Sequence, residues 1–139
     1  ASWKRNMKAE VIQSLLEKAE EARKKSYSPY SRYPVGAALM AKDGTIYAGC
    51  NVENVSYGAA LCAERNALGS AVADGQRDFT AIAIIGSHED YTMPCGICRQ
   101  VLSEFHVPLI ICGKSPEDYR TYTLEELFPS SFRAEELKH

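Results

Sequence analysis

Two stretches decide how this chain folds: Cys62-Ala63-Glu64-Arg65-Asn66-Ala67-Leu68-Gly69-Ser70-Ala71-Val72 and Pro94-Cys95-Gly96-Ile97-Cys98-Arg99-Gln100-Val101-Leu102-Ser103-Glu104-Phe105. Each reads as a helix that opens on a cysteine. In the first, Ala63, Ala67, Leu68, Ala71 and Val72 recur at helical spacing, and Asp74-Gly75 supplies a stop. In the second, Val101, Leu102 and Phe105 continue an apolar stripe. Pro94 suits a helix start, because the N–H it lacks would be unpaired there anyway. Cys95 and Cys98 then share one face of the first turn. Backbone N–H groups and the positive dipole end favour thiolate over thiol at such a place. Two helix starts can thus bring three thiolates to one point, with Glu64 in the same turn as Cys62.

Three thiolates suit zinc, and three protein ligands leave one of its four tetrahedral positions open. An open position holds water, whose pKa zinc lowers from about 16 to about 7. Glu64 can lean toward that water without being a ligand. Three thiolates carry more negative charge than the ion carries positive charge, which weakens it as a Lewis acid. Arg65 is the candidate to hydrogen-bond the sulfurs and offset this. A structural zinc site is the plainer reading; it would need a fourth ligand from Cys50, Cys112, His88 or His106. None of these has a short spacing to the other three. A redox CxxC pair would leave Cys62 and Glu64 without a use. The catalytic reading is favoured over both.

The rest of the chain is ordinary for one globular domain. It has 139 residues, 45% apolar and 24% charged, with a net charge of −2. At this length folding buries about two-thirds of the unfolded chain's surface. The isoelectric point near 5.9 and the lack of a basic block argue against a nucleic-acid partner. No apolar run approaches the roughly 20 residues needed to span a bilayer, so no membrane is expected. Five cysteines, an odd number with three assigned to metal, suit a reducing cytoplasm. Cys50 and Cys112 are expected to be buried free thiols. Residues 1–6 read as a flexible leader or remnant of expression, and residues 7–139 as a single domain.

Met7–Lys25 reads as an amphipathic helix with Val11, Leu15, Leu16, Ala19 and Ala22 on one face. Tyr27–Pro34 is a loop. Val35–Ala41 and Thr45–Cys50 form a hairpin around Lys42-Asp43-Gly44. Phe79–Ile85 and Val107–Cys112 are buried strands, and Tyr119–Tyr122 an edge strand. Thr123-Leu124-Glu125-Glu126 has the form of a capping box. Ala134–Lys138 reads as a last helical turn. A hairpin followed by alternating strands and helices predicts an α/β protein with a mixed sheet between helices.

The motif [HC]-x-E followed by P-C-x-x-C is the known signature of zinc-dependent base deaminases. Within that group the chain resembles the small three-cysteine cytidine deaminases. The likeness is carried by Cys62-Ala63-Glu64-Arg65 and Pro94-Cys95-Gly96-Ile97-Cys98-Arg99-Gln100. It extends through Tyr27-Ser28-Pro29-Tyr30-Ser31, Val35-Gly36-Ala37-Ala38-Leu39, Gly49-Cys50-Asn51-Val52-Glu53-Asn54 and Leu127-Phe128-Pro129-Ser130-Ser131-Phe132. It implies a three-layer α/β/α sandwich with a mixed five-stranded sheet, one Zn2+ per subunit and a homotetramer with shared sites. It implies that cytidine or 2′-deoxycytidine and water give the uridine and ammonia, in pyrimidine salvage. Cys62, Cys95 and Cys98 would hold the metal and Glu64 would shuttle the proton. Asn51 and Glu53 match the pair that meets the ribose, and Ala63 the residue whose backbone meets the base. Tyr57 and Phe132 match residues that reach a neighbouring subunit's site. Tyr33 stands where phenylalanine is usual and packs against substrate. Val55 and Asn66 stand where alanine and threonine are common. A carboxylate at the sugar disfavours a phosphate there, pointing to a free nucleoside. A deaminase of a modified or antibiotic cytosine nucleoside would share the zinc segments and remains an alternative. Arg99 and Gln100, taken alone, read as a solvated helix face.

Overall fold

Helix α1 (Ala9–Arg23) is shorter at both ends than its apolar pattern predicts, and it buries Ile12, Leu15, Leu16, Ala19 and Ala22. Ile12 takes the place expected of Val11, which is only partly buried. Strands β1 (Gly36–Ala41) and β2 (Ile46–Cys50) pair antiparallel, as the hairpin pattern predicts. A 3-10 turn over Tyr57–Ala59 precedes α2 (Ala63–Ala73). Strand β3 occupies Phe79–Ile85, the predicted range. Helix α3 (Gly96–Glu104) leads to β4 (Leu109–Ser115) and β5 (Asp118–Thr123). Val107 falls outside β4: its N–H bonds to Leu102 O at 3.1 Å and closes the end of α3. Thr123 and Glu126 form the expected capping box at the start of α4 (Leu124–Leu127). The last helical turn is a 3-10 turn over Ala134–Leu137. This computed structural model describes residues 7–137; residues 1–6, where a leader is expected, and Lys138 and His139 lie outside the described residues.

The sheet is mixed and five-stranded, in the order β2-β1-β3-β4-β5. Only β3 and β4 run parallel. Parallel neighbours need a crossover, and α3 supplies it. Alternate residues of each strand face opposite sides. Ala38, Ala81, Ala83, Ile85, Leu109 and Ile111 pack with α1. Ala37, Leu39, Ile82, Ile84, Ile110 and Cys112 pack with α2 and α3. The result is the three-layer α/β/α sandwich that the resemblance implies.

Two glycines let the helices sit close. A Cβ at Gly36 would stand 1.9 Å from Ala19 O, so α1 lies directly on β1. A Cβ at Gly49 would stand 2.6 Å from Ala63 O and 2.5 Å from Ala67 N, so the first turns of α2 rest on β2. The second contact fixes the helix start that carries Cys62 and Glu64. Gly36 pairs with both Cys50 and Ile85, so β2 and β3 end at the same edge of the sheet. In open α/β sheets, ligands bind in the crevice beyond strand ends.

Candidate active site

Cys62 is the N-cap of α2 and Cys95 the N-cap of α3. Cys95 therefore lies just outside the first turn, where its spacing to Cys98 predicts it inside. Pro94 precedes the cap and is fully buried, so it anchors the approach to the helix rather than its first position. Cys98 lies inside the first turn and is fully buried. The N-cap geometry still aims two free helix starts at one point. Short extended segments hold Cys62 in place. Val52 and Leu61 exchange backbone hydrogen bonds of 2.9 Å, and Glu53 N donates to Tyr27 O at 2.8 Å.

The sulfurs of Cys62, Cys95 and Cys98 all lie within 4.8 Å of one another. Those of Cys62 and Cys95 are 3.8 Å apart. Zinc–sulfur bonds of about 2.3 Å at tetrahedral angles hold sulfurs about 3.8 Å apart, so the trio fits the ion. The fourth ligands of a closed site are elsewhere. His88 Nε2 lies 3.0 Å from Glu20 Oε1. Cys50 Sγ donates to Lys25 O at 3.6 Å, and Cys112 Sγ to Met93 Sδ at 3.7 Å. His106 lines a separate hollow near the C-terminal segment. Cys112 is a buried free thiol as expected, whereas Cys50, at the end of an edge strand, is only half-buried.

Arg65 Nη2 donates to Cys62 Sγ at 3.5 Å and to Ala60 O at 3.3 Å. The expected contact with a thiolate is thus present, and the Arg65 Nε is buried without a partner among the described residues. Cys62 is held down to about 5, first by a hydrogen bond from Cys98 and further by Arg65. Cys98 is pushed up by keeping its proton toward Cys62 and by burial. The trio thus already favours a thiolate at Cys62, as a cation site requires.

Glu64 is 5% exposed. Burial, helped by the charge on Cys62, pushes its carboxyl up to about 7. A carboxyl poised near neutrality beside a metal trio can take and return a proton. Glu64 and the trio's Cys62 and Cys95 line a cleft of about 260 Å³. Ala63, Tyr33, Asn51 and Glu53 line it too. Asn51 Oδ1 accepts from Val35 N at 2.9 Å and from the Ser26 hydroxyl, and Asn51 Nδ2 donates to Tyr33 O at 2.9 Å. Glu53 accepts from Tyr30 N at 2.9 Å, Ser31 N at 3.1 Å and the Ser31 hydroxyl. These bonds hold Glu53 below the usual carboxylate range, the Ser31 hydroxyl foremost.

Tyr57 and Phe132 do not line this cleft. They are 77% and 56% exposed. Thr92 and Met93 do line it, and sequence reading misses both. Their signal is position alone: they stand just before Pro94-Cys95. Arg99 and Gln100 are not a solvated face. Arg99 donates to Pro94 O at 2.8 Å and Leu127 O at 2.7 Å, and Gln100 to Phe132 O at 2.8 Å.

An α/β/α sheet that presents three thiols and one buried carboxyl at its strand ends has the parts of a metal-dependent hydrolase. The family described as "Cytidine and deoxycytidylate deaminase zinc-binding region" matches residues 9–114. A cytidine deaminase of Sporosarcina psychrophila is 43% identical over 131 residues, covering 92% of this chain and 96% of the relative. The crystal structure of cytidine deaminase from Burkholderia pseudomallei superposes with a TM-score of 0.80 at 45% identity, covering 86% of this chain and 97% of that one. A blasticidin-S deaminase of Bacillus cereus is more distant, 31% identical over 132 residues, with 88% of this chain and 94% of the relative covered. The chain belongs to the cytidine and deoxycytidylate deaminase family, whose matched region binds zinc, and its Cys62, Cys95 and Cys98 are a group able to hold that ion.

Proposed function

We propose that this chain hydrolyses cytidine and 2′-deoxycytidine to the corresponding uridines and ammonia, in pyrimidine salvage. The observation that carries the reading is the placement of Glu64. It is buried, poised at about 7, and set beside the three thiols in a cleft that Asn51 and Glu53 also line. Zinc, when bound by Cys62, Cys95 and Cys98, supplies a Lewis acid that makes water acidic near neutral pH.

The chain's own groups do the rest. The Glu64 carboxylate takes a proton from the attacking water, passes it to N3 of the pyrimidine, and later helps protonate the leaving amine. A bond from C4 to oxygen forms, and the bond from C4 to the amino nitrogen breaks. The Ala63 backbone meets the base. Asn51 and Glu53 meet the sugar hydroxyls, each already locked by its own backbone partners. Arg65 offsets the thiolate charge. Positioning of this kind replaces ordering that substrate would otherwise have to impose. The Glu53 carboxylate repels a 5′-phosphate, so the free nucleoside is preferred.

The acting unit is the single domain 7–139, assembled as a homotetramer in the cytoplasm. Its support is the pair Tyr57 and Phe132, exposed aromatics that do not line this chain's own cleft. Sedimentation as a fully active monomer would contradict the shared site. None of the described helices is long and apolar enough to cross a membrane.

The reading is tested by uridine and ammonia release from cytidine, 2′-deoxycytidine, cytidine monophosphate and blasticidin S. The two nucleosides should lead by kcat/KM. A blasticidin S rate above both would favour the antibiotic reading, which the Bacillus cereus relative keeps in view.

A further inference from the structure

We propose that Tyr33 is a positioning residue that spans the cleft. It ties the sugar-facing wall to the wall that carries a metal thiol, and so sets the width open to substrate; this rests on the nucleoside reading above. Its main chain belongs to the first wall. Tyr33 O accepts from Asn51 Nδ2 at 2.9 Å. Tyr33 N donates to Ser31 Oγ at 3.1 Å, and Ser31 N donates to Glu53 Oε1 at 3.1 Å.

Its hydroxyl belongs to the second wall. Ser87 N donates to the Tyr33 hydroxyl at 3.3 Å, and Thr92 Oγ1 lies 3.3 Å from it. The ring lies on Gly86, where a Cβ would stand 2.9 Å from Tyr33 Cε1 and 2.6 Å from Thr92 Oγ1. This loop joins β3 to α3 and runs through Met93 to Cys95. The loop is also held at other points, among them His88 Nε2, 3.0 Å from Glu20 Oε1 of α1. Arg23 of α1 bonds to Gly86 O. Tyr91 donates to Asp118 Oδ1 at 2.7 Å, with Lys114 and Arg120 over its ring.

A phenylalanine at this place would fill the same ring space and make neither bond. The hydroxyl is thus a tie between two walls that one nucleoside must touch at once. Holding the walls in register before binding lowers the ordering that binding requires. Such a tie shows mainly in KM.

The test compares Tyr33→Phe, Thr92→Val and the double variant, all zinc-loaded. Cytidine KM and kcat are measured together with hydrogen exchange of the 86–93 amides. Each single variant should raise KM about 3–10-fold, as fits two long neutral hydrogen bonds, with a smaller change in kcat. The double variant should match the worse single one, because both remove one tie. Exchange at Ser87 should quicken about fivefold or more once its acceptor is gone. Wild-type KM and exchange in Tyr33→Phe would overturn the proposal, as would effects that multiply in the double variant. If the wild type turns over no cytidine, the nucleoside reading fails, and the exchange measurement still decides the tie.

Discussion

The metal side of the cleft and its sugar side are built from different materials. The metal side is made of two helix starts, α2 and α3, set against the sheet. Cys98 and Glu64 are buried there, Cys62 is half-buried and Cys95 exposed, and close backbone contact at Gly49 seats the first turns of α2 on β2. The sugar side is made of loop, Ser26 to Pro34 and Asn51 to Glu53, held by hydrogen bonds of the Asn51 and Glu53 side chains and by backbone bonds between the two segments. Chemistry sits on helix starts packed against the sheet. Recognition sits on the part that can be retuned. Changes on the metal side should therefore abolish activity, and changes on the sugar side should shift selectivity.

The largest expected effect is at Cys98, the fully buried thiol of the trio. Cys98→Ala should lose zinc and lower turnover by on the order of 10⁴ or more. Metal analysis beside the rate checks it. A variant with bound zinc and a tenth of wild-type activity would break the division between the two sides.

Next comes a pH effect in protein stripped of zinc by a chelator. Glu64 is raised from 4.5 to about 7, so the fold favours its neutral form. Its contribution to stability is full below pH 4.5 and is lost as pH rises through 7. The loss across that window amounts to about 3 kcal/mol. Glu64→Gln cannot ionise. The stability of the variant relative to wild type should therefore climb across the window in denaturant titrations. Cys62, lowered to about 5, contributes in the opposite direction. Comparing wild type with the variant at each pH separates the two.

Gly49→Ala should cost about 1–3 kcal/mol by overpacking β2 against α2. The melting temperature should fall by several degrees, with zinc affinity falling alongside because Cys62 moves with the helix. The smallest effect is expected at Glu53. Glu53→Gln should weaken cytidine turnover, while the ratio of cytidine monophosphate to cytidine turnover rises about fivefold, since one like charge is gone. An unchanged ratio would show that the sugar side does not discriminate by charge.

The metal side is also the legible side. Cysteine spacing and helical periodicity are local, so Cys62, Glu64, Cys95 and Cys98 can be placed from the chain alone. The continuous apolar run of β3 locates Phe79–Ile85 for the same reason, as a strand buried on both faces. The capping box at Thr123 is likewise a contact across three residues. What stays hidden is tertiary. The sequence does not pair Ser26 and Ser31 with any partner, yet they lock Asn51 and Glu53 from 25 and 22 positions away. Arg99 and Gln100 have the pattern of a solvated face, but the C-terminal segment lies on them. Cys95 sits one residue outside its predicted turn, because a proline fits before an N-cap as well as inside a first turn. The role of the Tyr33 hydroxyl depends on a loop 54 residues away.

The central claim is that Glu64 shuttles the proton in a cytidine-hydrolysing site. Its most direct test is ammonia and uridine release from cytidine by wild type and Glu64→Gln at equal zinc content. Turnover in the wild type and a fall of about 10⁴-fold or more in the variant is the expected result. A zinc-loaded variant that keeps a tenth of the wild-type rate would contradict it.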